Sequence, residues 1–276
     1  MNPGELKATL KKGLPVFGCM LSIMEGMRWG RVLASSTLDY VVIDTEHGSR
    51  SRTDTAALVM MVKAAGLTAF VRVADTDPVF VALALDAGAD GVLVPYMEEV
   101  EEVKECAYKL RLHPLKGQAF RDVVEKGEFP SDKSRDYLAR RHSDNLFIMG
   151  IESKTAVNRL EELLDCAEID AVFVGPNDLS TSLGDPDNLR SDDYVNALKR
   201  VITVSEARGV PVMVHHQNQA MSIRGIELGA RFVLHSSDGG MLRNAMNNEF
   251  AVLREAASKR WGGQEGAEAE DHMEVV

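Results

Sequence analysis

An apolar run, Val41-Val42-Ile43, ends in Asp44-Thr45-Glu46-His47, which puts a histidine three residues after an aspartate. A carboxylate so placed can hold one imidazole N–H, fix the tautomer and raise the basicity, as a general base requires. The competing reading is a His47 that caps a loop whose acids only solvate a turn. A second run, Ala69-Phe70-Val71, ends in Arg72. A guanidinium at the end of a buried strand needs an anion, and the candidates are Asp75 in a structural salt bridge or a bound carboxylate or enolate. A third run, 146–151, ends in Glu152, and a fourth, Ala171-Val172-Phe173-Val174, ends in Gly175-Pro176-Asn177-Asp178. Glu152 and Asp178 are 26 residues apart, the length of one βα unit, which places them on adjacent strands. Two carboxylates in one mouth repel unless a cation lies between them, and so few protein ligands suit Mg²⁺ or Mn²⁺. Alternatively Glu152 opens a helix and Asp178 caps the Leu179-Ser180 turn. Gly175-Pro176-Asn177 is a tight segment poor in side chains. Proline has no N–H, so its anion donors are the amides of Asn177 and Asp178. His215, His216 and His235 also end apolar runs. His215 and His216 face opposite ways in a strand, so at most one lines the mouth, and all three read as supporting or structural groups.

Elements must bring these residues together. Short apolar runs that read as strands lie at 16–21, 40–44, 69–73, 91–95, 146–151, 171–174, 211–214 and 231–235. Most are continuous rather than alternating, as parallel strands buried on both faces are. Amphipathic stretches at 24–35, 52–65, 78–87, 98–111, 154–165, 193–208, 217–228 and 240–260 separate them. Eight βα units in order predict a (β/α)8 TIM barrel, which delivers its chemistry at the C-terminal ends of its strands. One segment breaks the rhythm. Between the fourth unit and the fifth strand lies an insertion, 116–145, with helical patterns at 120–127 and 133–142 around Glu128-Phe129-Pro130-Ser131. A lid, an oligomer contact or a solvated excursion all fit it. The reading is one barrel domain over 1–261 and an acidic, disordered tail over 262–276.

Composition narrows the function. The 276 residues include 31 basic and 42 acidic ones, a formal charge of -11 without a basic stripe, which disfavours nucleic acid as a partner. Cys19, Cys106 and Cys166 are isolated, against a disulfide framework or a structural zinc site. No apolar run has membrane-spanning length and residues 1–7 lack an apolar signal core, so a cytoplasmic protein without a membrane partner is expected.

Ile43-Asp44-Thr45-Glu46-His47, Val71-Arg72, Val92-Leu93-Val94-Pro95, Ile151-Glu152-Ser153 and Val174 to Ser180, taken together, resemble the HpcH/HpaI aldolases. These are the metal-dependent class II pyruvate aldolases of the phosphoenolpyruvate/pyruvate barrel superfamily. The likeness runs in order from about Gly13 to Arg254. It implies a divalent cation (Mg²⁺, Mn²⁺ or Co²⁺) on Glu152 and Asp178. It implies Arg72 against the keto or enolate oxygen, and His47 with Asp44 as the base and its orienting carboxylate. The pyruvyl carboxylate falls to the amides of Asn177 and Asp178, in a substrate-binding segment that includes Gly175, Pro176 and Ser180. The implied reaction is reversible cleavage of a 4-hydroxy-2-oxo acid to pyruvate, or a related 2-oxo acid, and an aldehyde, without a lysine Schiff base. A homo-oligomer is implied too, a dimer or a hexamer of dimers that exchange C-terminal helices through a stripe of Met241, Leu242, Met246, Phe250 and Leu253. The chain departs from the family at Gly150, where glutamine is usual, and at Pro114 to Phe120, which replaces a Gly/Arg-rich segment. The alternatives are a lyase of citryl- or malyl-CoA type and a non-catalytic barrel that serves as a binding protein.

Overall fold

The computed structural model describes residues 1–262. The predicted tail lies, from residue 263 onward, outside the described residues. Eight parallel strands close into a barrel in sequence order: β1 (Val16–Leu21), β2 (Tyr40–Asp44), β3 (Thr68–Arg72), β4 (Gly91–Val94), β5 (Leu146–Gly150), β6 (Ala171–Val174), β7 (Val212–His216) and β8 (Phe232–Ser237). The β2–β3 register pairs Val42 with Phe70 and Asp44 with Arg72.

Alternation along each strand divides the core in two. Val41 and Ile43 of β2, with Val71 of β3 and Val172 of β6, face outward into the layer beneath the helices. Tyr40, Val42, Phe70, Ile148 and Phe173 point inward and fill the barrel. Tyr40, Phe70 and Phe232 meet edge to face at its centre, with ring centroids 4.8–5.9 Å apart. Gly18 makes room for them, since a Cβ there would lie 2.5 Å from the Tyr40 ring. The inward parity of β2 ends on Asp44 and that of β3 on Arg72. Glu152 continues the inward series Leu146, Ile148, Gly150 of β5. The pleat thus aims three of the expected residues at one mouth.

The opposite end is plugged. A helix that the hydrophobic pattern did not disclose, Pro3–Lys11, sends Leu6 and Leu10 into the barrel interior. Asn2 and Glu5 form a capping box at its start, with Pro3 in the first turn. The insertion folds as two helices, Gly117–Lys126 and Asp132–Arg141, around Leu112, Val123 and Leu138. Lys7 donates to the Ser143 carbonyl at 3.3 Å and pairs with Asp170 at 2.7 Å, so the insertion sits beside the plugging helix at the N-terminal ends of the strands. A lid over the mouth is excluded. The predicted helix 24–35 is a 3₁₀ turn, Met27–Trp29, that runs into Gly30–Ala34, and the predicted helix 154–165 breaks at Arg159.

After β8 the last helix, Asp238–Trp261, leaves the barrel. Only Asp238, Gly239 and Gly240 are buried. The Asp238 carboxylate anchors this first turn by accepting from the amides of Ser22, Ile23 and Met24. No helix among the described residues is long and apolar enough to cross a membrane.

Candidate active site

At the end of β2 and β3, Arg72 donates through Nε and Nη2 to the two oxygens of Asp44, at 2.8 and 2.7 Å. Its Nη1 lies 2.9 Å from Glu46. This changes the expected pairing: Asp44 meets Arg72 with both oxygens, and the anions on Arg72 are Asp44 and Glu46 rather than Asp75. The cause is register: Asp44 and Arg72 are direct inward neighbours on adjacent strands, while His47 lies beyond the strand in the loop. A guanidinium has five N–H groups, and these contacts use three, which leaves donors for a substrate oxyanion.

The carboxylate nearest the His47 ring is Glu46, 3.7 Å from Nε2. The loop that carries both is pinned by Arg50, whose Nη1 donates to the Asp44 carbonyl at 2.7 Å. The Glu46 amide donates in turn to Asp44 Oδ1 at 3.1 Å. Burial pushes the Glu46 carboxyl up, Arg72 and His47 oppose this, and Asp44 and Asp178 add to it. Glu46 was not singled out from the sequence, although it stands between two residues that were.

Glu152 is 1% exposed. Its Oε2 accepts the Tyr96 amide at 2.5 Å, and its Oε1 is buried with no hydrogen-bond partner. The space beside Oε1 exists because residue 175 is glycine, since a Cβ at Gly175 would lie 1.9 Å from that oxygen. Burial first, then repulsion by Glu46, pushes the Glu152 carboxyl up to about 8. Arg72 pulls it down and Asp178 adds to the rise.

The Gly175–Ser180 segment is a short helix, Pro176–Ser182, rather than a loop. Asp178 lies in its first turn, where the amides have no partner within the helix. Asn177 and Asp178 are exposed. Ser180 is a correction: it is buried, donates to the Asn177 carbonyl at 2.9 Å and accepts from the Asp187 amide at 3.0 Å. Its hydroxyl is committed to its own turn and is not offered to a substrate. Gly175 and Pro176 are likewise buried and act through the backbone, by giving Glu152 room and starting the helix.

Of the three histidines, His215 shares the inward parity of Met213. Burial, then the positive charge of Arg72, pushes it down to about 3, so it is neutral. His216 and His235 face outward, against the Tyr194 hydroxyl and the Ser222 hydroxyl, both at 2.9 Å.

Among the described residues no group of three or more His, Cys, Asp or Glu side chains is arranged to hold a metal. A cation bound here would have fewer than three such side chains as ligands. Glu152 fits that role. It is a hard oxygen donor with one buried, unpartnered atom, and the negative charge around it favours a cation.

A closed parallel barrel with an arginine, a histidine and interacting carboxylates at its C-terminal rim is built as an enzyme that stabilises a developing oxyanion. The chain belongs to the HpcH/HpaI aldolase/citrate lyase family, whose sequence model matches residues 29–245. It is accordingly a carbon–carbon lyase of the aldolase type. Members of the family generally depend on a divalent cation. A 5-keto-4-deoxy-D-glucarate aldolase of Klebsiella pneumoniae is 28% identical over 88% of this chain and 94% of its own. An HpcH/HpaI aldolase/citrate lyase family protein from Burkholderia cenocepacia superposes with a TM-score of 0.78 at 29% identity, covering 91% of this chain and 99% of its own. The HpcH/HpaI aldolase of Desulfitobacterium hafniense does so with a TM-score of 0.78 at 25% identity, over 91% and 96%.

Proposed function

We propose that Glu152 and Asp178 hold Mg²⁺, Mn²⁺ or Co²⁺, and that the site cleaves a 4-hydroxy-2-oxo acid reversibly to pyruvate, or a related 2-oxo acid, and an aldehyde. The observation that carries this reading is Glu152, a buried carboxylate with an orphan oxygen, repelled by Glu46 and Asp178, at the end of a barrel strand. When bound, the cation supplies a Lewis acid for the 2-oxo group. The amides of Asn177 and Asp178 hold the substrate carboxylate. His47 takes the C4 hydroxyl proton, with Glu46 as the neighbouring carboxylate. The C3–C4 bond then breaks, its electron pair moves to C3 to form the enolate, and C4 leaves as the aldehyde. Arg72, held flat by Asp44, turns its remaining N–H groups to the enolate oxygen. A proton from solvent at C3 yields the methyl group of pyruvate, and His47 returns the proton it took to solvent.

The test is a panel of 4-hydroxy-2-oxo acids and hydroxyacyl-CoA esters assayed with chelator and with each cation. Chelation should abolish cleavage of the oxo acids and a divalent cation should restore it. Full activity in well-chelated enzyme, or turnover of CoA esters alone, would overturn the reading.

The assembly we propose is a homo-oligomer of dimers that exchange their last helices, as a pair or as a hexamer. Met246, Phe250 and Leu253 are 48–60% exposed on the projecting helix. On the barrel, Ile23, Met27 and Val32 beside β1 and Ile223 in the helix Gln219–Glu227 are also more than half exposed, where an eighth helix would otherwise lie. Complete burial from full exposure is worth about 1.5–3 kcal/mol for such a side chain, so these half-exposed ones gain about half of that. Light scattering should give at least twice the 30.3 kDa chain mass, and Phe250→Asp should lower it. A monomeric wild type at micromolar concentration would contradict the assembly.

A further inference from the structure

The exit of β4 carries a residue that neither the histidine and arginine nor the carboxylates account for. Tyr96 has a φ of 50°, a left-handed conformation that is costly for a residue with a bulky side chain. Two contacts hold it there. Its amide donates to Glu152 Oε2, and the Met97 amide donates to the Gly150 carbonyl at 3.0 Å. Gly150 permits this approach, since a Cβ on it would lie 2.7 Å from the Val94 carbonyl oxygen, 2.9 Å from Pro95 Cα and 3.0 Å from the Tyr96 nitrogen. The bend turns the ring outward. Pro95 and Met97 are buried, whereas Tyr96 is 45% exposed.

Its place in the rim is informative. In the barrel order β4 stands between β3, which carries Arg72, and β5, which leads to Glu152. The phenol reaches the Ser182 hydroxyl and lies among Glu98, Asp178 and Glu152. The exposed ring thus stands at the C-terminal rim, two strands along from the loop of His47 and next to the strand that leads to Glu152.

We infer that Tyr96 is a specificity-determining residue that contacts the aldehyde half of the substrate and hydrogen-bonds a hydroxyl group beyond C4, which selects hydroxyaldehydes over plain ones. This rests on the aldolase reading of the site. A phenol is a neutral O–H group with both a donor and acceptor lone pairs. Its hydroxyl suits an alcohol, and its acidic surroundings disfavour a second carboxylate at that point. A site that offers a hydrogen bond to a substrate hydroxyl discriminates against the analogue that lacks it.

The experiment compares wild type, Tyr96→Phe and Tyr96→Ala in aldol addition of pyruvate to glycolaldehyde and to propionaldehyde. Solvent exchange of the pyruvate methyl protons is followed in parallel without aldehyde. The wild type should prefer glycolaldehyde. Tyr96→Phe should lower kcat/KM for glycolaldehyde about tenfold, mainly through KM, and leave propionaldehyde and proton exchange as they were. Tyr96→Ala should lose the preference as well, with exchange retained. An unchanged aldehyde ratio in both variants would overturn the inference. A loss of exchange in step with addition would also overturn it, because Tyr96 would then act on the enolate half. A wild type that neither exchanges nor adds with any divalent cation would overturn the aldolase reading itself, and this inference with it.

Discussion

Glu152→Gln is expected to lower turnover by about 10³ or more, through loss of a cation worth several kcal/mol to the transition state, and to stabilise the metal-free protein at alkaline pH. The second effect follows from the environment of the carboxyl. In the unfolded chain it titrates near 4.5, and in the fold burial and Glu46 move it to about 8. Between these values the folded protein holds a proton that the unfolded chain has released. The contribution to stability is full below pH 4.5, declines as pH rises, and is lost by about pH 8. For a group this buried the change amounts to several kcal/mol. Glutamine has no proton to lose and removes the slope. Denaturant titrations with chelator from pH 5 to pH 9 measure it. Wild type should lose stability across that range and the variant much less, and a divalent cation should rescue wild type more at pH 8 than at pH 5. Parallel profiles for the two proteins would mean that the Glu152 carboxyl is solvated and that the proposed cation site is wrong. Because glutamine keeps the shape of the side chain, the comparison does not depend on filling a cavity.

The same residue shows what the sequence discloses. Parallel strands buried on both faces read as unbroken apolar runs, so all eight strands were legible, and their ends pointed to Arg72 and Glu152. Alternation along β5 extends to Glu152, whose inward direction follows from Leu146 and Ile148 alone. Register was not legible. Which residue faces Arg72 depends on how β2 and β3 pair, and one chain read by itself does not reveal that Asp44 and Arg72 stand level. Nearness in sequence therefore suggested His47 as the partner of Asp44, and Glu46 was passed over. The helix Pro3–Lys11 was not read from the sequence, because its apolar face has only Leu6 and Leu10, although Asn2-Pro3 and Glu5 form a capping signature. The helix at Pro176 was hidden by its length of 7 residues, too short for a periodic pattern, while the proline marked its first turn. Gly150 and Gly175 were visible as glycines, but the atoms that require them come from other strands.

His47→Ala and Arg72→Ala should separate the two halves of the reaction. If His47 takes the C4 hydroxyl proton, its removal leaves the oxo acid bound but the C3–C4 bond without a base. Loss of a positioned acid–base group costs about 10²–10⁴ in rate. Exchange of the pyruvate methyl protons with solvent involves no C4 hydroxyl, and a solvent molecule in the exposed mouth can serve it. Exchange in His47→Ala should therefore fall much less than cleavage. Arg72 occupies a different point in the sequence of events. Cleavage and exchange share the enolate, so Arg72→Ala should depress both by similar factors. It should do more, because Asp44 would lose the partner of both its oxygens and Glu46 the cation that opposes its rise. Asp44 is 2% exposed, and a buried carboxylate without its cation costs stability as well as activity. Arg72→Lys distinguishes the two losses. It keeps a charge near Asp44 but not the planar fork, so stability should recover further than either reaction. The measurements are cleavage rate, exchange rate by proton resonance and the unfolding midpoint of each variant. Equal and mild losses of cleavage and exchange in both alanine variants would mean that His47 and Arg72 only shape the pocket, and the base would have to be sought elsewhere on the rim.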